Sequence, residues 1–80
     1  MQILYIHGLD SSPNPERMAY LRGRGHAVSA LHLDYRNQPD SFAILKAHAQ
    51  ATKSDFIVGS SLGGFLGFWL GEELGMPGLL

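Results

Sequence analysis

Mainly apolar runs of strand length recur along the chain, and turn-forming or helical stretches separate them. The runs at residues 2–6, 27–33 and 55–58 predict three strands. A fourth apolar segment occupies residues 77–80. Because a helical stretch follows each of the three strands, the pattern predicts an α/β fold with a parallel sheet and flanking helices.

The three helical stretches have recognisable limits. Asn14 followed by a proline is typical of an N-cap and a first helical residue, and predicts a helix over residues 15–22. A second helix is predicted over residues 41–52, with two candidate capping residues at its start, Asp40 and Ser41. A third is predicted over residues 62–74, directly after a glycine-rich turn.

Glycine recurs at every fourth position from Gly59 to Gly75. The last four of these glycines, from Gly63 onward, would leave one side of the third helix without side chains, so that it can lie very close to the sheet. Each glycine inside a helix costs about 1 kcal/mol relative to alanine. Close packing against a strand must therefore offset an intrinsically weak helix.

Composition restricts the classes of function. The 80 residues allow one domain at most. A net charge of -1 with six scattered basic residues argues against a nucleic-acid or anionic-membrane surface. Cysteine is absent, which excludes disulfides and thiolate metal sites. The apolar stretch 57–70 is shorter than the roughly 20 residues of a membrane span, and we predict a cytoplasmic protein.

One motif carries candidate chemistry. The stretch Gly59–Gly63 matches G-x-S-x-G and lies between a predicted strand and a predicted helix, as a nucleophile elbow requires. Such a sharp turn strains the serine backbone, and side chains at the two glycine positions would collide with their neighbours. We predict that Ser61 is a nucleophile at the carboxyl edge of the sheet. The alternative is that Ser61 is an ordinary turn residue. We interpret Ser60 as a small residue that fills the turn and not as a rival nucleophile.

Two segments together resemble a known family. They read ILYIHGLDSSPNP and IVGSSLGGFLGFWL, and the chain is similar to the small bacterial YqiA-like esterases of the α/β-hydrolase superfamily. The resemblance covers nearly the whole chain. It implies hydrolysis of small-molecule carboxylic esters or thioesters by a Ser-His-Asp triad without a cofactor. It further implies that Ser61 is the nucleophile and that the backbone amides of Leu9 and Leu62 form the oxyanion hole.

The loop after the first strand supplies the remaining candidate site residues. We predict that His7, Gly8 and Asp10 are binding residues of the site, and that His7 shapes this loop by hydrogen bonding. Asp10 either lines the substrate entrance or serves the turn. His32 falls within the second predicted strand and is interpreted as structural. The four histidines lack metal-ligand spacing with nearby carboxylates, so we predict no metal site.

The chain departs from the superfamily pattern after its nucleophile. In that superfamily an acid and then a histidine follow the serine. Here only Glu72 and Glu73 follow Ser61 as acids, and no histidine does. We therefore interpret residues 1–80 as one partial α/β-hydrolase domain, truncated after the helix of the elbow, and predict that it is inactive alone.

Two other functions remain open from the residues. The chain can be a non-catalytic α/β module that binds an anion or another ligand at the turn of residues 59–64. That turn lacks the lysine of a P-loop and the G-x-G-x-x-G of a dinucleotide site. Alternatively, a second subunit completes the sheet, and the unpaired apolar edge near Leu80 mediates self-association.

Overall fold

One parallel sheet with helices packed on it forms the protein, as seen in a computed structural model that describes residues 1–80. The strands are β1 (Gln2–Ile6), β2 (Ala27–Ala30), β3 (Phe56–Gly59) and β4 (Gly78–Leu79), and the helices are α1 (Pro15–Gly23), α2 (Ser41–Ala51) and α3 (Leu62–Leu74). All strand pairs are parallel, in the order β2-β1-β3-β4. The predicted α/β fold class is therefore confirmed.

Strand β1 lies in the middle of the sheet. It pairs with β2 on one side and with β3 on the other, and its residues 3–6 are all buried. Burial on both faces explains why this strand is a continuous apolar run and not an alternating one. The main core cluster joins β1 and β3 to the two longer helices and consists of Leu4, Ile6, Leu33, Leu45, Ala49, Ile57 and Leu70.

The predicted start of α1 is confirmed in detail. The side-chain oxygen of Asn14 accepts hydrogen bonds from the N–H groups of Glu16 at 2.9 Å and Arg17 at 3.1 Å. Helix α2 differs, because Asp40 takes the N-cap position without a side-chain capping bond. The Ser41 hydroxyl instead donates to the carbonyl of Gln38 at 2.6 Å. Neither candidate cap of α2 therefore acts through its side chain.

The second strand is shorter than predicted. It ends at Ala30, and the prediction that it continues to Leu33 was wrong. Its pairing with β1 stops at the register pair Tyr5↔Ala30, after which the N–H of Leu33 donates to the His7 ring instead of to a neighbouring strand. His32 consequently lies in an exposed loop and not inside a strand. Strand β3 is shifted by one residue and begins at Phe56.

Three glycines of the predicted stripe do face close neighbours. A Cβ on Gly63 would lie only 2.5 Å from the carbonyl oxygen of His7, and one on Gly67 would lie 3.0 Å from the side chain of Ile57. A Cβ on Gly71 would lie 2.6 Å from the carbonyl oxygen of Met76. The prediction was wrong for Gly75, which has φ 67° and ends α3 as its left-handed C-cap.

The sheet has an open edge at β4. This strand pairs only with β3, and Leu79 and Leu80 are exposed beside it. Unpaired strand edges favour pairing with other chains, so self-association through this edge stays a prediction. No helix combines the length and apolar character that crossing a membrane requires.

The contact of α3 with β1 generates a test of stability. Alanine at position 63 would place its Cβ against the backbone carbonyls of Ile6 and His7, which cannot move without breaking the strand. We expect Gly63→Ala to lower the free energy of unfolding by about 1–3 kcal/mol or more, as overpacking does. Denaturant titration followed by circular dichroism measures this change.

Gly64→Ala is the matched control for this test. A Cβ on Gly64 would meet its nearest atom, the carbonyl oxygen of Gly59, at an ordinary 3.7 Å. The substitution also improves helix propensity by up to about 1 kcal/mol. We expect unchanged or increased stability, and equal destabilisation by both substitutions would contradict the proposed close approach.

Candidate active site

The backbone reverses abruptly at Ser61, between β3 and α3. Ser61 has φ 57° and ψ -121°, a conformation that residues with side chains rarely adopt. Such strain costs about 1–3 kcal/mol and persists only where the surroundings impose it. Serine at an N-cap usually bonds a backbone N–H of the helix, but this one makes no capping bond and is exposed. Its hydroxyl therefore has no capping partner and faces solvent.

Two glycines make this reversal sterically possible. A Cβ on Gly59 would lie 2.5 Å from the carbonyl oxygen of Gly63, closer than carbon and oxygen can approach. Gly63 in turn packs its backbone against the end of β1, as described above. The collisions that the motif predicts at both positions are thus present, and they leave Ser61 as the residue that projects from the turn.

The loop after β1 reaches the same place. The register pair Ile6↔Gly59 sets the ends of β1 and β3 side by side, and the N–H of Ser60 donates to the carbonyl of Ile6 at 3.2 Å. A Cβ on Gly8 would lie 3.2 Å from the Cβ of Ser61 and 3.8 Å from its Oγ. Bare backbone at Gly8 therefore borders the serine hydroxyl.

Backbone N–H groups at this edge divide into bonded and free donors. Those of Gly63, Gly64 and Phe65 donate to the carbonyls of Ser60 and Ser61, at 2.9, 2.9 and 3.2 Å respectively. The N–H of Leu9 makes no hydrogen bond within the protein. The N–H of Leu62 opens α3, where a helix has no carbonyl of its own to accept it. The N–H groups of Leu9 and Leu62, which are the two predicted oxyanion donors, therefore belong to the free donors.

His7 is buried and uses both ring nitrogens. Its Nε2 lies 2.9 Å from the N–H of Leu33 and must accept from it, so the proton resides on Nδ1 and is donated to the carbonyl of Gly8 at 2.7 Å. A trans peptide directs its N–H away from its C=O, so this bond turns the N–H of Leu9 away from His7. The contacts agree with a loop-shaping role, and leave His7 no free nitrogen to act as a base.

Asp10 forms an ion pair with Arg36. The Arg36 Nε and Nη2 groups each donate to one carboxylate oxygen at 2.7 Å, in the two-pronged geometry that guanidinium favours. Hydrogen bonding to Arg36 lowers the pKa of the Asp10 carboxyl, and the same bond raises the pKa of Arg36. The ion pair is therefore fully formed above the ordinary pKa of aspartate, and it is lost as the pH falls through the lowered pKa of Asp10.

Tyr35 supplies a further contact to the loop. Its hydroxyl donates to the carbonyl oxygen of His7 at 2.7 Å, and the two rings lie 5.0 Å apart. Burial raises the pKa of the Tyr35 hydroxyl, which keeps it protonated as a donor. Sequence reasoning identified neither Tyr35 nor Arg36, because no spacing rule connects the loop after β2 with the loop after β1.

A cleft of about 630 Å³ adjoins the elbow. It extends from Gly8 and Ser60 to the start of α1, and its apolar lining residues are Tyr5, Pro13 and Pro15. The other lining groups are mainly polar and include Ser11, Ser12, Asn14, Glu16 and Arg17. A ligand in this cleft would therefore meet hydroxyl, amide and charged groups; Ser60, and not Ser61, lines the cleft.

Comparison with known proteins adds one finding. Residues 2–80 match the model of an uncharacterised protein family, UPF0227. The chain belongs to this family. No curated protein and no solved structure matches it significantly. The description of UPF0227 assigns no activity.

This UPF0227 chain brings no acid or base to Ser61. Glu72 and Glu73 lie more than about 15 Å along α3 from the elbow, given the helical rise per residue. Glu73 forms an ion pair with Lys46 of α2. No histidine hydrogen-bonds Ser61, and no three histidine or carboxylate side chains are grouped so that they could hold a metal ion.

The double role of the His7 ring generates a prediction. His7→Leu keeps a side chain of similar size but leaves the buried N–H of Leu33 without its acceptor and the carbonyl of Gly8 without its donor. An unpaired buried polar group costs about 1–3 kcal/mol, so we expect the free energy of unfolding to fall by roughly 2 kcal/mol or more. Denaturant titration measures the change.

His48→Leu provides the control for this substitution. His48 is half-buried on α2, and its ring has a single 3.2 Å contact with the Ser29 hydroxyl. We expect a clearly smaller loss of stability than for His7→Leu. Equal effects of the two substitutions would show that the His7 contacts are not what holds the loop.

Proposed function

We propose that this chain supplies the nucleophile and the oxyanion donors of a serine hydrolase that acts on carboxylic esters or thioesters. One observation carries the proposal: the strained backbone of Ser61 holds a free hydroxyl beside the bare backbone of Gly8. Strained backbone of this kind clusters at active sites, where the surrounding structure imposes it. The resemblance of both segments to YqiA-like esterases of the α/β-hydrolase superfamily supports the same reaction.

The proposed reaction has two steps. Ser61 Oγ attacks the acyl carbon and its proton passes to a histidine base, while the N–H groups of Leu9 and Leu62 bond the oxyanion. The carbon–oxygen or carbon–sulfur bond breaks, and the alcohol or thiol leaves with that proton. Water then hydrolyses the acyl-serine by the same route. In this proposal the histidine and its acid come from outside these 80 residues, and the enzyme is cytoplasmic.

The anion-binding alternative is less well supported. A phosphate-binding turn offers several free N–H groups at the start of its helix. In this turn the N–H groups of Gly63, Gly64 and Phe65 are already bonded to the carbonyls of Ser60 and Ser61. An anion would have to displace these bonds, whereas an oxyanion hole needs only two donors.

Covalent labelling tests the proposal. In a protein that contains this chain together with its catalytic base, we expect a fluorophosphonate probe to attach at Ser61, as peptide mass mapping would show. Ser61→Ala should abolish the labelling, whereas Ser60→Ala should retain it, because Ser60 makes its hydrogen bonds through its backbone N–H and carbonyl and not through its side chain. The isolated 80-residue chain should hydrolyse p-nitrophenyl acetate at least about a thousandfold more slowly than the protein that contains the base, since loss of the base removes most of a triad's contribution.

Other results would favour other functions. Saturable binding of phosphate or nucleotides without any labelling would support the binding module. Labelling at Ser60 with Ser61 unmodified would overturn the assignment of the nucleophile.

A further inference from the structure

We infer that Tyr35 and Arg36, in the loop between β2 and α2, are positioning residues for the oxyanion hole. This inference rests on the function proposed above. The inference goes beyond that function because it assigns roles to two further side chains. These side chains touch neither the substrate nor Ser61, and they act through the loop after β1.

Three contacts join the two loops. The N–H of Leu33 donates to the His7 ring, the hydroxyl of Tyr35 donates to the His7 carbonyl, and the Arg36 guanidinium holds the Asp10 carboxylate. The partners are 26 to 28 residues apart in the chain. These contacts hold the turn at His7, which precedes Gly8 and Leu9, and at Asp10, which follows them. The peptide that presents the Leu9 N–H is thus held from both ends.

Besides these contacts, the bond from the His7 ring to the Gly8 carbonyl holds the turn. Residues 7–10 lie outside the strands and helices, and the side chain of Leu9 is exposed. Asp10 has φ 54°, a left-handed conformation that aspartate tolerates but does not favour strongly. Displacing a reacting or stabilising group by about 1 Å can cost a hundredfold in rate. Contacts that fix the direction of the Leu9 N–H therefore matter for catalysis.

The Arg36–Asp10 ion pair orients the Asp10 side chain more than it stabilises the fold. The two side chains are 62% and 59% exposed, and exposed ion pairs add little to the free energy of folding. Its two parallel bonds nevertheless define the orientation of the Asp10 side chain. A substitution at Arg36 should consequently change the rate of the chemical step without changing the stability of the fold.

Steady-state kinetics of the same active protein, with p-nitrophenyl acetate, test the inference. We expect Arg36→Gln to lower kcat by about tenfold to a hundredfold, with KM changed by less than about twofold, as for a group that acts only in the transition state. Arg36→Lys keeps the charge without the two-pronged geometry and should recover part of kcat.

Tyr35→Phe should lower kcat by about threefold to tenfold, since one hydrogen bond to the turn is lost.

Lys46→Gln is the matched control. Lys46 forms the other ion pair of the chain, with Glu73, and also links two elements, but far from the elbow. We expect its kcat, its KM and its thermal unfolding midpoint to equal those of the parent. The unfolding midpoint of Arg36→Gln should also stay within about 2 °C of the parent, as for an exposed ion pair.

The outcomes separate this inference from the proposed function. Labelling at Ser61 together with an unchanged kcat in Arg36→Gln overturns the positioning role alone. A fall in the unfolding midpoint that accounts for the lost activity overturns it as well, because the pair would then be structural. Absence of labelling at Ser61 in the unsubstituted protein overturns the proposed function, and the positioning role with it.

Discussion

The geometry of the site depends on how closely the start of α3 approaches the ends of β1 and β3. Glycines at positions 59 and 63 let backbone meet backbone there, with no room for a Cβ. Because α3 begins directly behind the strand ends, the chain has only Ser60 and Ser61 in which to reverse. The strained φ of Ser61 follows from this lack of space. Burial of Leu70 and the other core side chains holds α3 against the sheet.

The order of the strands then decides which loops meet. Strand β1 lies between β2 and β3, so the loops that follow these three strands emerge side by side at one edge. One of them carries Ser61, the next carries Gly8 and Leu9, and the third carries Tyr35 and Arg36. Parallel α/β sheets place ligand sites at the carboxyl ends of their strands for this reason. The buried His7 ring, bonded to Gly8 and to Leu33, ties two of these loops together.

Most of the fold could be predicted from local patterns. The apolar runs located the strands, the Asn14 cap located α1, and the G-x-S-x-G spacing located the elbow. Two predictions were wrong. Strand β2 ends at Ala30, and the N–H of Leu33 bonds to the His7 ring and not to a neighbouring strand. Gly75 ends α3 in a left-handed turn, although its four-residue spacing from the preceding glycine predicted that it belongs to the glycine stripe that packs against the sheet.

The sequence by itself determined the class of fold, the candidate nucleophile and the glycines around it. Hydrophobic periodicity, capping residues and turn chemistry all act within a few residues, so they can be recognised along the chain. Only the tertiary structure decided that Tyr35 and Arg36 reach the loop of His7 and Asp10. Those contacts join two loops that only the pairing of β1 with β2 sets side by side. Their partners are 26 and 28 residues apart, a separation at which no local periodicity acts.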